Sequence, residues 1–136
     1  MSSSESPEPP VIRQLRTVLH DSISIAISDG TIIEGPGGTR LVNGKKHDVE
    51  QWVGRRSKWG NPFKSAEHGG EYRREEAVDL YKGWFLGHVE RGDWDVEQLR
   101  GAVLGCYCLP KLCHGIIIIN RLAETYDPQQ TLSGSY

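Results

Sequence analysis

GAVLGCYCLPKLCHGIIIINRLAE, residues 101–124, decides how this chain is to be read. The stretch holds every cysteine of the protein, Cys106, Cys108 and Cys113, and His114 follows the last of them. AVLGCYC (102–108) reads as a short buried strand, and Pro110 helps to end it. CHGIIIINRLAETY (113–126) reads as a helix, against the β propensity of four consecutive isoleucines. In a strand, side chains alternate between faces, so Cys106 and Cys108 share one face and Tyr107 takes the other. Cys113 and His114 then stand at the mouth of the next helix. Open α/β sheets bind ligands where strands end and helices begin. Unpaired first-turn amides and the helix dipole favour negative charge there and lower the pKa of a thiol.

Three explanations of the cluster stand open. Cys106, Cys108, Cys113 and His114 offer zinc four ligands of the right softness, although C-x-C on a strand is poor knuckle geometry. Alternatively Cys113 or Cys108 is a nucleophilic thiolate, with His114 as base. The third explanation is packing, since free cysteine is commonly buried. Cys113 is expected to be the most reactive thiol, and Cys106 the most buried.

Upstream, the residues from about 71 to 90 turn helical. Ala77, Val78, Tyr81, Trp84, Phe85 and His88 follow one buried stripe. His88 on that stripe reads as a packing residue, and Gly83 and Gly87, one turn apart, suggest close approach of a neighbour. DVEQLR (95–100) offers one or two more helical turns. In the first half, VIRQLRTVLH (11–20) is ambiguous between helix and strand. SISIAIS (22–28) alternates as a strand, and turns at Asp29-Gly30, 35–38 and Asn43-Gly44 predict hairpins. Together these give an α/β fold: a small, mostly parallel sheet flanked by helices, with N-terminal hairpin strands. Residues 1–10 read as a disordered tail, 11–126 as a single domain and 127–136 as a C-terminal tail.

Between the halves lies VGRRSKWGNPFK (53–64), where Arg55, Arg56, Lys58 and Lys64 interleave with Trp59 and Phe63. Guanidinium groups grip phosphate or carboxylate in pairs of hydrogen bonds. An indole offers a nucleobase a stacking face. Gly60 permits close backbone approach, and Asn61 before Pro62 is biased to extended backbone. The plain alternative is a solvated basic loop with both aromatics folded beneath it. His47 and His68 flank this region as weaker candidates.

The net charge of -2 over 136 residues implies no general attraction to nucleic acid or anionic membrane, so any anion site is local. The longest apolar run, Ile116–Ile119, is far too short to span a bilayer. MSSSESPEPP lacks the basic and apolar regions of a secretory signal. With an odd cysteine count, this leads to the expectation of a cytoplasmic protein.

VGRRSKWGNPF (53–63) and LRGAVLGCYCLPKLCHG (99–115) together resemble the signature of domain-of-unknown-function family 4326, small proteins of bacteria, phages and plasmids. Arg55, Ser57, Trp59, Gly60, Asn61, Pro62 and Phe63 match the first motif. Cys106, Cys108, Pro110, Cys113, His114 and Gly115 match the second. The chain departs from the pattern at Ile116, where the family often has Asp, and at Arg56, where Pro is common. The resemblance covers residues 40–125 and brings no activity with it.

The expectation is therefore a protein that binds a small anionic or nucleotide-like ligand at the Cys/His turn. Catalysis is left open. A transferase or hydrolase acting on nucleotides, nucleosides or nucleic-acid bases would use Cys113, Cys108 and His114. Arg55, Ser57, Lys58, Trp59, Gly60 and Asn61 would hold the ligand. The alternatives are a zinc-stabilised interaction module, nucleic acid among its partners, and a ligand-sequestering protein.

Overall fold

Strand β5 (Val103–Cys106) lies between β3 (Arg40–Asn43) and β4 (Gln51–Trp52), and it runs parallel to both. The architecture is that of a computed structural model, in which residues 9–54, 57–66 and 69–127 are described. Two further strands, β1 (Ser24–Ile25) and β2 (Ile32–Glu34), complete a five-stranded sheet of order β1-β2-β3-β5-β4. Both β1–β2 and β2–β3 pair antiparallel. The sheet is thus mixed, which corrects the expectation of a mostly parallel one. The hairpin turns predicted before residue 40 reverse the chain twice, and each reversal forces an antiparallel pair.

The alternation over 22–28 overstated β1. Only Ser24 and Ile25 pair, because the chain turns at once: Gly30 N–H donates to Ile27 O at 3.0 Å. The ambiguous segment 11–20 is helix α1 (Pro10–Val18), with Pro10 at its first turn, where the missing N–H costs nothing. Of the predicted tails at 1–10 and 127–136, residues 1–8 and 128–136 lie outside the described residues, and Pro10 already belongs to α1.

Helix α2 (Arg74–Glu90) joins β4 to β5 and carries the predicted stripe. Ala77, Val78, Tyr81 and Phe85 are buried, while Trp84 and His88 are half-buried. Glu76 closes the first turn by accepting from Arg73 N–H at 2.9 Å. Gly83 has no neighbour within 4 Å of an added Cβ, and Gly87 meets only the Arg91 side chain, so neither marks a close approach. DVEQLR holds a 3-10 turn, Val96–Leu99.

Helix α3 (His114–Glu124) forms despite its isoleucines because burial outweighs propensity. Ile116, Ile118 and Ile119 are wholly buried in the core with Leu41, Leu104 and Phe85. Its first turn lies so near the sheet that a Cβ on Gly115 would stand 2.9 Å from the Leu41 side chain. The helix mouth is therefore set directly over the ends of the parallel strands. Among the described residues, no helix is long and apolar enough to cross a membrane.

Candidate functional site

The ends of β4 and β5 and the start of α3 bring the two sequence motifs together. Cys106 ends β5 and Cys113 caps α3, accepting from Gly115 N–H at 3.4 Å. Their thiols face each other inside the core: Cys113 Sγ donates to Cys106 Sγ at 3.1 Å, and each residue is 1% exposed. Cys108, just beyond the strand, is half-buried. Tyr107 between them points outward, 57% exposed, with its ring 4.5 Å from Trp52, as strand alternation requires.

The charge on this cluster falls on Cys108. The Cys113 hydrogen bond and then Arg74, at the start of α2, pull its pKa down to about 5, against burial. The Cys113 bond also pulls Cys106 down, opposed by burial and by repulsion from Cys108. Two thiolates so close cannot both ionise readily, and the Arg74 cation favours Cys108. Cys113 donates its one S–H to Cys106, and this, with burial and the neighbouring Cys108 sulfur, pushes its own thiol well up. Burial and the raised pKa weigh against the sequence expectation of a reactive Cys113. The helix mouth does favour thiolate, but full burial and the Cys106 sulfur acceptor hold the proton on Cys113.

His114 is 9% exposed, and its Nε2 lies 2.7 Å from Val53 O. A carbonyl only accepts, so the Nε2–H donates. Burial pushes the imidazole pKa down, so the ring is neutral and Nδ1 carries the lone pair, 3.9 Å from Cys113 Sγ. Only Nδ1 is left for proton transfer. Ile116, where the resembled family often has Asp, is fully buried and contributes no acid.

The basic aromatic loop is held from within. Trp59 is 4% exposed, edge-on to Trp94 at 5.5 Å and Phe85 at 6.3 Å, so its face is not open to a base. Tyr81 Oη donates to Trp59 O at 2.7 Å, while its ring meets His114 edge-on at 5.1 Å. Asn61 Nδ2 donates to Ala77 O at 3.0 Å, and its Oδ1 accepts from Phe63 N–H at 2.8 Å. Ser57 Oγ donates to Gly54 O at 2.7 Å. A Cβ on Gly60 would press to 2.7 Å from Gly54 O, which explains the glycine. Lys58 is exposed above the Trp59 ring. Arg55, Arg56 and His68 lie outside the described residues.

The four suggested zinc ligands do not form a tetrahedral set here. Thiolates sharing one zinc stand about 3.8 Å apart, given bonds of about 2.3 Å, and the Cys106–Cys113 pair is closer, at 3.1 Å. The Nε2 of His114 is taken by Val53. Among the described residues, no group of three or more His, Cys, Asp or Glu is arranged to hold a metal ion.

The sequence reading missed Arg74 and the Val53 carbonyl. Arg74 Nη1 also donates to Leu112 O at 3.0 Å, so this one side chain braces the thiol loop while facing Cys108. The only signal was a basic pair opening a helix. His47, a weaker site candidate in the sequence, is bound elsewhere: its Nε2 lies 2.9 Å from Thr31 Oγ1, which donates to Asp29 Oδ1 at 2.6 Å. His88 pairs with Asp93 at 3.0 Å and stacks on Trp94 at 4.4 Å, as a packing residue does.

A profile of the family described as "Domain of unknown function (DUF4326)" matches residues 40–124. That range contains both motifs and all of the site. The chain is also similar to the "Uncharacterized 12.4 kDa protein in nrdA-td intergenic region" of Enterobacteria phage T4, 39% identical over 89 residues, which covers 61% of this chain and 79% of that protein. No solved structure matches.

Proposed function

This chain belongs to the family described as Domain of unknown function (DUF4326), and on that premise we propose that it is a thiolate-bearing site for a small anionic or nucleotide-like ligand, acting by group transfer or hydrolysis on nucleotides, nucleosides or nucleic-acid bases. One observation carries the reading: Cys108 is a half-buried thiol beyond the end of a parallel strand, on the loop that Arg74 braces, and its pKa is pulled down to about 5. A resting thiolate beside a fixed guanidinium suits attack on an electrophilic centre that carries negative charge. Cys108 is then the nucleophile and Arg74 steadies the anion. His114, neutral with its Nδ1 lone pair toward the sulfurs, holds the base position. Lys58 and Ser57 on the loop, with Arg55 of the same motif, supply further cationic and hydroxyl contacts. Trp59, Gly60 and Asn61 serve the ligand by holding the loop, since their contacts are internal.

The test is incubation of the purified protein with a panel of nucleotides and nucleosides. Turnover and intact-mass shifts are both followed. A substrate-dependent adduct or turnover that Cys108→Ser abolishes, with melting temperature preserved, is the expected result. Turnover or binding that persists in Cys108→Ser removes the thiolate from the reading.

A further inference from the structure

The third thiol has no part in that chemistry, yet Cys106 Sγ lies 3.1 Å from Cys113 Sγ, both free and both in the core. A disulfide needs the sulfurs at about 2.05 Å, so a side-chain adjustment of about an ångström joins them. We propose that Cys106 and Cys113 are a redox-active dithiol that closes reversibly to an intramolecular disulfide, with hydrogen peroxide as oxidant and half-buried Cys108 as the entry thiol. Only the entry step rests on Cys108 as the reactive thiol of the preceding section. The pair itself rests on the sulfur geometry.

The steps balance. The Cys108 thiolate attacks one peroxide oxygen, the O–O bond breaks, and hydroxide leaves, so that Cys108 becomes a sulfenic acid. The Cys113 sulfur attacks the Cys108 sulfur. Water departs with the Cys113 proton, and a Cys108–Cys113 disulfide remains. Cys106 then attacks the Cys113 sulfur and releases Cys108 as thiolate. Its proton neutralises the hydroxide of the first step. In sum, two thiols and one peroxide give the Cys106–Cys113 disulfide and two waters.

The product state alters the site. A disulfide at Cys113 has no S–H, so the thiolate on Cys108 loses its largest support and Arg74 remains the main one. The bond also ties the end of β5 to the cap of α3. Oxidation therefore weakens the nucleophile without consuming it.

The sequence makes the pairing readable. Trypsin cuts after Arg100, Lys111 and Arg121, which gives one peptide with Cys106 and Cys108 and another with Cys113. The full chain is treated with one equivalent of peroxide, its remaining thiols are alkylated after unfolding, and it is digested without reductant. The expected product is the two peptides joined, with the label on Cys108, and dithiothreitol separates them. Cys113→Ser is expected to show no link and to stop at sulfenic acid on Cys108, which a second equivalent of peroxide carries to sulfinic acid. Wild-type protein with all three cysteines labelled, or with over-oxidised Cys108 and no link, overturns the proposal, and a label on Cys106 overturns the assigned pair. Cys108→Ser separates the two claims. Peroxide should link it more slowly, on the order of tenfold, while diamide should still link it. Linkage by peroxide at the wild-type rate removes Cys108 as the entry thiol and leaves the pair standing, and loss of the link with both oxidants removes the pair.

Discussion

His114 Nε2 donates to Val53 O at 2.7 Å, which fastens the second motif to the start of the first across 61 residues of chain. Both groups are buried, so neither can turn to water instead. A His114→Phe substitution keeps the ring against Tyr81 and strands the carbonyl. It should cost about 1–3 kcal/mol, the penalty of an unsatisfied buried acceptor. The same bond has a pH signature. Burial lowers the folded pKa of His114 below the 6.5 of a free imidazole. Below that value the unfolded chain takes up a proton that the fold refuses, so the His114 contribution is intact above pH 6.5 and is lost as pH falls toward the folded pKa. Cys108 adds a slope of the same sign between about 5 and 9.0, so wild type and variant must be compared with each other. Urea unfolding at pH about 7.5 and about 5.5 should show a smaller acid loss in His114→Phe. Equal losses would mean that the imidazole is not held neutral.

A brief alkylation pulse should label Cys108 first. At pH 7 a free thiol is about 3% thiolate, whereas Cys108, with its pKa near 5, is almost wholly ionised. Its rate should therefore be nearly flat above about pH 6, where an ordinary thiol still climbs tenfold per unit. Arg74→Ala removes the second support and should move the inflection upward. Peptide mapping reads all three sites, and Cys113 labelling ahead of Cys108 would contradict the charge distribution described above.

The strand and helices around the cysteines were legible because each obeyed a local rule: a short apolar run over 102–108 that ends near Pro110, and a buried stripe for α2. Sheet direction was not legible. It depends on which strands the turns reverse, and β4, only two residues long, has no period to detect. The site was legible as a set of unusual residues but not as roles. Trp59 and Asn61 read as ligand contacts because an exposed loop and a buried one have the same composition. Only Tyr81, Phe85 and Ala77, supplied by the distant α2, show that the loop faces inward. Cys113 read as the reactive thiol for the same reason: a helix mouth is visible in sequence, whereas the sulfurs that surround it are not.

Trp59 accordingly belongs to stability more than to stacking. Trp59→Ala should cost about 3–5 kcal/mol, as for a large aromatic removed from a core. Tyr81→Phe leaves the Trp59 carbonyl without its donor and should cost about 1–3 kcal/mol. The two residues are directly bonded, so the double variant should lose less than the sum. Denaturant midpoints measure all three. A Trp59→Ala protein as stable as wild type would return the indole to the surface and reopen it as a base platform.

Chelation is the remaining discriminating experiment. A structural zinc contributes its binding energy to folding, so its removal unfolds a small domain outright. Leu41, Leu104, Ile116, Ile118 and Phe85 pack around the thiols, and His114 spends its Nε2 on Val53. The 3.1 Å sulfur separation is that of a hydrogen-bonded thiol pair, in which Cys113 retains its proton. Zinc would have to take that proton and spread the sulfurs by about 0.7 Å. The protein should therefore melt at the same temperature before and after a strong chelator, and added zinc should leave α3 and the Cys108 reaction rate unchanged. Co-purified zinc near one equivalent, with unfolding on its removal, would make Cys106, Cys108, Cys113 and His114 a metal site and would displace both the nucleophile and the dithiol.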